Sequence, residues 1–167
     1  GDIVTTASGK SIEVNDTDAE GRIILADALE YISKFKPDEI IDFATLTGAC
    51  AVALGLYASG IFTKNDKISE DIIASGQKTF ERVWRLPMWD DYKKLLKSDI
   101  ADISNLGPRW GGAITAAKFL EFFVDKNIPW AHIDIAGPAI KNDLNSYTKT
   151  FDPGYGVRLI IDYLGKY

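Results

Sequence analysis

From Ala113 to Val124 nearly every position is apolar, the exceptions being a narrow stripe of Thr115, Lys118 and Glu121. A helix of that composition has to be buried over most of its circumference, so it belongs to a core rather than to a surface. Shortly after it, Trp130-Ala131-His132-Ile133-Asp134-Ile135 reads as a strand. Alternation puts Trp130, His132 and Asp134 on one side and Ala131, Ile133 and Ile135 on the other. Earlier in the chain, the short apolar run Ile40-Ile41-Asp42-Phe43 is followed by the loop Ala44 to Gly48 and a small-residue helix candidate, Ala49 to Gly55. Strand, loop and helix in that order are the grammar of an α/β layer.

The remaining segments fit the same plan. Ile3 to Thr6 and Ser11 to Val14 flank Ala7-Ser8-Gly9-Lys10, two short strands around a glycine-containing turn. After the polar loop Asn15 to Gly21, residues Leu25, Ala28, Leu29 and Ile32 fall at helical spacing, and Pro37 closes that region. Gly60 to Thr63 is extended, Asn65 or Asp66 caps a helix through Ile68, Ile72 and Ile73, and Val157 to Leu164 forms a terminal helix. The tryptophan-containing stretch Val83 to Trp89 fits neither periodicity cleanly. A chain of 167 residues is expected to fold as one cooperative body.

Hydrophobic residues at 46% and charged residues at 26% are ordinary for a soluble fold, and no segment reaches the roughly 20 apolar residues that span a bilayer. With 19 basic against 24 acidic residues and no run of Lys or Arg, nucleic acid is not an expected partner. Cys50 is the only cysteine, so no internal disulfide forms, and the first residues carry no secretory signal. The expected setting is the cytoplasm.

The stretch Asp16-Thr17-Asp18-Ala19-Glu20-Gly21-Arg22 is the one that points to chemistry. If its backbone is extended, residues 18, 20 and 22 project to one side, placing two carboxylates and a guanidinium in one small space. Carboxylate oxygens suit hard or borderline divalent cations, and a bridging carboxylate holds paired metals roughly 3.5 to 4 Å apart. With His132 the sole histidine and Cys50 the sole cysteine, a His-rich or Cys-rich zinc centre is excluded for this chain alone. An arginine beside metals is suited to hold an anion or to stabilise developing negative charge. On spacing alone the plainer alternative stands beside this one: a solvated acidic turn ahead of a helix N-terminus.

The string Thr17-Asp18-Ala19-Glu20-Gly21-Arg22 is identical to most of the Asn-Thr-Asp-Ala-Glu-Gly-Arg signature of the leucine aminopeptidase (cytosol aminopeptidase) family, which it resembles. Further stretches match in order: Gly1 to Thr6 with Ser8-Gly9, Asp42 to Ala49, Trp84 to Pro87, Gly111 to Ala117, and Trp130 to Gly137. The likeness covers nearly the whole chain, and identifies residues 1–167 with the C-terminal part of the catalytic domain.

The resemblance implies an α/β fold with a central mixed β-sheet and helices on both faces. It implies a two-metal hydrolase that removes N-terminal, leucine-type residues from peptides with a free N-terminus, assembled as a homo-hexamer. Asp18 would ligate one zinc or manganese ion, Glu20 would bridge both, and Arg22 would bind a bicarbonate acting as general base. The backbone around Leu46 would touch that anion and the substrate. Thr45, Gly48, Ala136 and Ala139 match positions lining an apolar pocket for the substrate's first side chain, with the small Ala139 widening it.

Three departures accompany the match. The family supplies further ligands, a lysine and aspartates, and a second lysine near the scissile carbonyl, from a segment before the equivalent of Gly1; this chain alone is therefore expected to be inactive or nearly so. Asp16 stands where the signature has Asn. Residues Asp152 to Arg158 follow the family's closing loop only loosely.

Competing readings are a His132-Asp134 dyad with Ser104 or Thr115, an Asp16-x-Asp18 nucleotide-sugar site, and a non-catalytic scaffold or oligomerisation module. Against the dyad, no Gly-x-Ser-x-Gly elbow exists, and a histidine on a buried strand is more often a hydrogen-bonded core residue. The scaffold reading would use Trp89, Trp110 or Tyr155, each expected to be partly core.

Overall fold

A computed structural model describes residues 1–140 and 154–166. In chain order these form β1 (Asp2–Thr5), β2 (Ser11–Val14), α1 (Glu20–Ser33), β3 (Ile40–Ala44), α2 (Gly48–Leu54) and β4 (Ser59–Phe62). There follow α3 (Asp66–Thr79), β5 (Val83–Arg85), β6 (Ile103–Ser104), α4 (Gly112–Glu121), β7 (Trp130–Asp134) and α5 (Val157–Leu164). The strands lie in two mixed sheets rather than one central one, of order β1-β2-β6 and β3-β7-β4-β5. The α/β class and the mixed pairing are as expected. No described helix is long and apolar enough to cross a membrane.

The chain divides into two compact units, residues 1–40 with 87–130 and residues 41–86 with 131–167. In the first, β1 and β2 form the predicted antiparallel hairpin, and β2 runs parallel to β6 through the pairs Ile12↔Ile103 and Glu13↔Ser104. Helices α1 and α4 pack together, and α4 supplies Ala116, Ala117, Phe119 and Leu120 to the core. The polar stripe anticipated on α4 is a correction: Thr115 and Lys118 are both buried. Lys118 goes inside because its ammonium is neutralised there, meeting the carboxylates of Asp90 at 2.9 Å and of Glu121. A buried lysine without such partners would be costly.

In the second unit, β4 is parallel to β5 and antiparallel to β7. Ile61, Ile68, Ile72, Val83, Ala131, Ile133, Leu159 and Tyr163 form its core, each large aliphatic side chain contributing roughly 1.5 to 3 kcal/mol by leaving water. The helices start where the sequence provides an acceptor. Thr47 Oγ1 accepts from Cys50 N at 3.0 Å to open α2, and Asn65 Oδ1 accepts from Ile68 N at 3.0 Å to open α3. At α5 the acceptor is remote: the buried Glu81 carboxylate accepts from Leu159 N at 2.8 Å and pairs with Arg158 at 3.1 Å.

Trp89 and Trp110 are exposed, which corrects the expectation that they join the core. Tyr155 is half-buried, its hydroxyl 2.9 Å from Ser59 Oγ. The family-deviating Asp152 and Pro153 lie outside the described residues.

Candidate active site

The carboxylate-bearing segment is not extended. Asp16 alone is extended (φ −142°, ψ 120°), and its carboxylate accepts from Asp18 N at 3.0 Å. That capping bond turns Thr17–Ala19 into one 3-10 turn, which runs directly into α1 at Glu20. The premise that residues 18, 20 and 22 share one side of a strand is therefore corrected. On a helix, residues two apart point about 200° away from each other. Asp18 and Glu20 are exposed, whereas Arg22 is buried and donates from one guanidinium nitrogen to the Asn105 carbonyl at 2.7 Å. The replacement of the signature Asn by Asp16 also acquires a local role, since the side-chain oxygen that caps the turn is one both residue types possess.

Asp18 and Glu20 thus stand two residues apart where a 3-10 turn meets a helix, with oxygens that pay no desolvation cost before meeting a cation. Their chemistry suits a divalent ion, as part of a ligand set. Among the described residues no group of three or more His, Cys, Asp and Glu is assembled to hold one.

The other sequence-predicted residues belong to the second unit. Strand β3 delivers the loop Thr45–Thr47 and then α2, with Thr45 and Gly48 exposed and Leu46 half-buried. Strand β7 ends at Asp134, which is 1% exposed and followed by the half-buried Ala136 and Ala139. Asp134 joins the two stretches: one carboxylate oxygen accepts from Leu46 N and from Ala136 N, each at 3.1 Å, and the other accepts from Thr47 Oγ1 at 2.6 Å. Gly137 completes the joint. A Cβ there would stand 2.1 Å from the Gly55 carbonyl oxygen, so only glycine permits this approach to the end of α2.

Sequence reasoning placed Asp134 only in a possible dyad with His132. The structure separates their partners: His132 is fully buried, its Nδ1 2.5 Å from Asp42 Oδ1 and its ring stacked on Phe62. This is the core histidine of the plainer reading. The hydroxyls of Ser104 and Thr115 are engaged locally, on the carbonyls of Leu106 at 2.9 Å and Gly112 at 3.1 Å. The signal for Asp134 was a lone acid in the otherwise apolar Ile133-Asp134-Ile135, but two of its three partners lie 87 and 88 residues away.

Cys50 lies beside this joint, its Sγ 3.7 Å from the Asp134 carbonyl oxygen. Burial, and secondarily the Asp134 charge, push the thiol pKa up to about 12. At pH 8 about one thiol in ten thousand would then be ionised. Native protein is expected to leave Ellman's reagent unreacted at pH 8 and to react fully once unfolded in guanidinium; rapid native labelling would contradict this burial.

Comparison with known proteins covers nearly the whole chain. The model of the cytosol aminopeptidase family catalytic domain matches residues 1–161. A protein of Chlorobium phaeobacteroides named "Probable cytosol aminopeptidase" is 55% identical over 168 residues, covering 100% of this chain and 33% of the relative. One of the same name from Aquifex aeolicus is 51% identical over 166 residues, covering 99% and 34%. Among solved structures, a mutant of tomato leucine aminopeptidase superposes with a TM-score of 0.93 at 46% identity, over 100% of this chain and 32% of that one. This chain therefore spans about a third of the length of the relatives it matches. It belongs to the cytosol aminopeptidase family, as part of that family's catalytic domain.

Proposed function

We propose that this chain is the carboxylate-bearing part of a metal-dependent aminopeptidase that releases N-terminal, leucine-type residues from peptides. The observation that carries the reading is the exposure of Asp18 and Glu20 at the junction of a 3-10 turn and α1, within a family signature string. Asp18 would contribute a ligand to one ion, and Glu20 would contribute to both. Two divalent ions, zinc or manganese, supply activation of water and of the scissile carbonyl when bound, and take up the substrate's free α-amino group. Arg22, held through one nitrogen to the Asn105 carbonyl, would hold a bicarbonate, which would supply the general base. By the family resemblance, the second unit would contribute the backbone at Leu46 to binding the substrate and Thr45, Gly48, Ala136 and Ala139 to a small apolar pocket for its first side chain. The enzyme works in the cytoplasm as a homo-hexamer, and the exposed Trp89 and Trp110 are in keeping with surfaces that an assembly would cover.

Two carboxylates are too few to hold two ions tightly. The purified 167-residue chain, supplied with Mn²⁺ or Zn²⁺, is therefore expected to hydrolyse leucine p-nitroanilide no faster than buffer, whereas the complete protein turns it over. Appreciable hydrolysis by the chain alone would contradict this division of the site. A complete protein that remained inactive with either metal would favour the scaffold reading.

A further inference from the structure

We propose that Asn105 is a positioning residue that sets the turn carrying Asp18 and Glu20, the two proposed metal-binding carboxylates; this rests on the aminopeptidase reading above.

Asn105 follows the last residue of β6 and is wholly buried. Its N–H donates to the Glu13 carbonyl at 2.9 Å, the last backbone bond between β6 and β2. Beyond that point the side chain takes over. Oδ1 accepts from Asn15 N at 2.8 Å and Asp16 N at 3.3 Å, and Nδ2 donates to the Asp16 carbonyl at 2.7 Å. The amide thereby imitates one more peptide group of a strand, pairing with a backbone that is about to leave the sheet. Its own carbonyl accepts from Arg22 at 2.7 Å, and Asn15 Nδ2 adds a bond to Ser104 Oγ at 3.0 Å.

One residue thus fixes the residues just before the 3-10 turn and the side chain one helical turn beyond it. The chemistry selects Asn. Two neighbouring N–H groups need an acceptor, the adjacent carbonyl needs a donor, and a planar amide offers both at this length. Asp lacks the donor and Ala lacks both. The orientation of the amide is fixed by the same partners, because a flipped group would set N–H against N–H and oxygen against oxygen. Residues that orient metal ligands through hydrogen bonds typically change metal affinity 10- to 100-fold when removed.

The test uses this chain and Mn²⁺ alone, read by NMR as paramagnetic broadening of the Asp18 and Glu20 amide signals, together with amide exchange at Asn15 and Asp16. In the wild-type chain, Mn²⁺ is expected to broaden both signals first. In Asn105→Ala, half-broadening is expected to need about tenfold more Mn²⁺. Exchange at Asn15 and Asp16 should also rise about tenfold, as expected for a lost hydrogen bond. Exchange elsewhere in the first unit should stay unchanged. Asn105→Asp, which keeps the acceptor, is expected to restore slow exchange at Asn15, and it carries the test if the alanine variant fails to fold. Unchanged Mn²⁺ response and unchanged exchange in Asn105→Ala would overturn the proposal. Wild-type chain whose Asp18 and Glu20 signals ignore Mn²⁺ would overturn the metal role of Asn105, whereas the aminopeptidase reading falls only with an inactive complete protein.

Discussion

Glu20→Ala in the complete enzyme is expected to lower kcat for leucine p-nitroanilide by at least 10²- to 10³-fold while leaving the melting temperature nearly unchanged. Loss of a single group that stabilises the transition state already costs about that much, and a bridging carboxylate holds two ions at once. The fold has little to lose. Glu20 is exposed at the first position of α1, where its charge gains roughly 0.3 to 1 kcal/mol from the helix dipole. Asp18→Ala is expected to behave alike, weakening one ion rather than both, so that high Mn²⁺ restores part of its activity but not that of Glu20→Ala. Kinetics across a Mn²⁺ titration, alongside thermal melts, check this. A Glu20→Ala enzyme retaining activity within a few-fold of wild type would remove Glu20 from the site.

Asp134→Ala has the opposite profile, with stability as its first casualty. The substitution removes an acceptor for Leu46 N, Ala136 N and Thr47 Oγ1 from a position 1% exposed. Hydrogen bonds to a charged group are each worth about 1.5 to 3 kcal/mol and do not add fully, so the loss should be about 3 to 5 kcal/mol. For a protein of this size that corresponds to a drop of about 10 °C in Tm. Asp134→Asn keeps an acceptor for the two backbone groups and can donate to the Thr47 hydroxyl, so it should lose about 1 kcal/mol. In the complete enzyme the Asn variant should raise KM more than it lowers kcat, since it disturbs the loop at Leu46 and the Ala136 segment rather than the carboxylates. Melting curves of the two variants decide: equal destabilisation would mean that the carboxylate's hydrogen bonds are not what joins these segments.

Much of the fold was legible because its determinants are local. The β1–β2 hairpin follows from a glycine-containing turn between two short strands, α2 from its run of small residues, and α5 from its apolar spacing. Where the reading slipped, a distant partner had decided. Lys118 was assigned to a polar stripe, yet Asp90, 28 residues away, draws it into the core. Strand β5 was not recognised among the tryptophans of 83–89, because it exists by pairing with β4. The start of α1 was placed at Arg22 rather than Glu20, since an acid-rich segment looks like a loop until Asp16 is seen capping its first turn.

The site divides in the same way. Asp18 and Glu20 were nominated through a contiguous signature, whereas Asn105 and Asp134, each a support within its own unit, were not. Asn105 acts across 83 to 90 residues and Asp134 across 87 to 88. Neither is marked by periodicity or by a motif of its own, and single polar residues at strand ends reveal their purpose only through the loops they hold.

The most direct measurement is an anomalous difference map from crystals of the complete enzyme grown with Mn²⁺. Two peaks are predicted, roughly 3.5 to 4 Å apart, one touching an Asp18 oxygen and both bridged by Glu20. Ions bound elsewhere, with Asp18 and Glu20 facing only solvent, would contradict the account at its root.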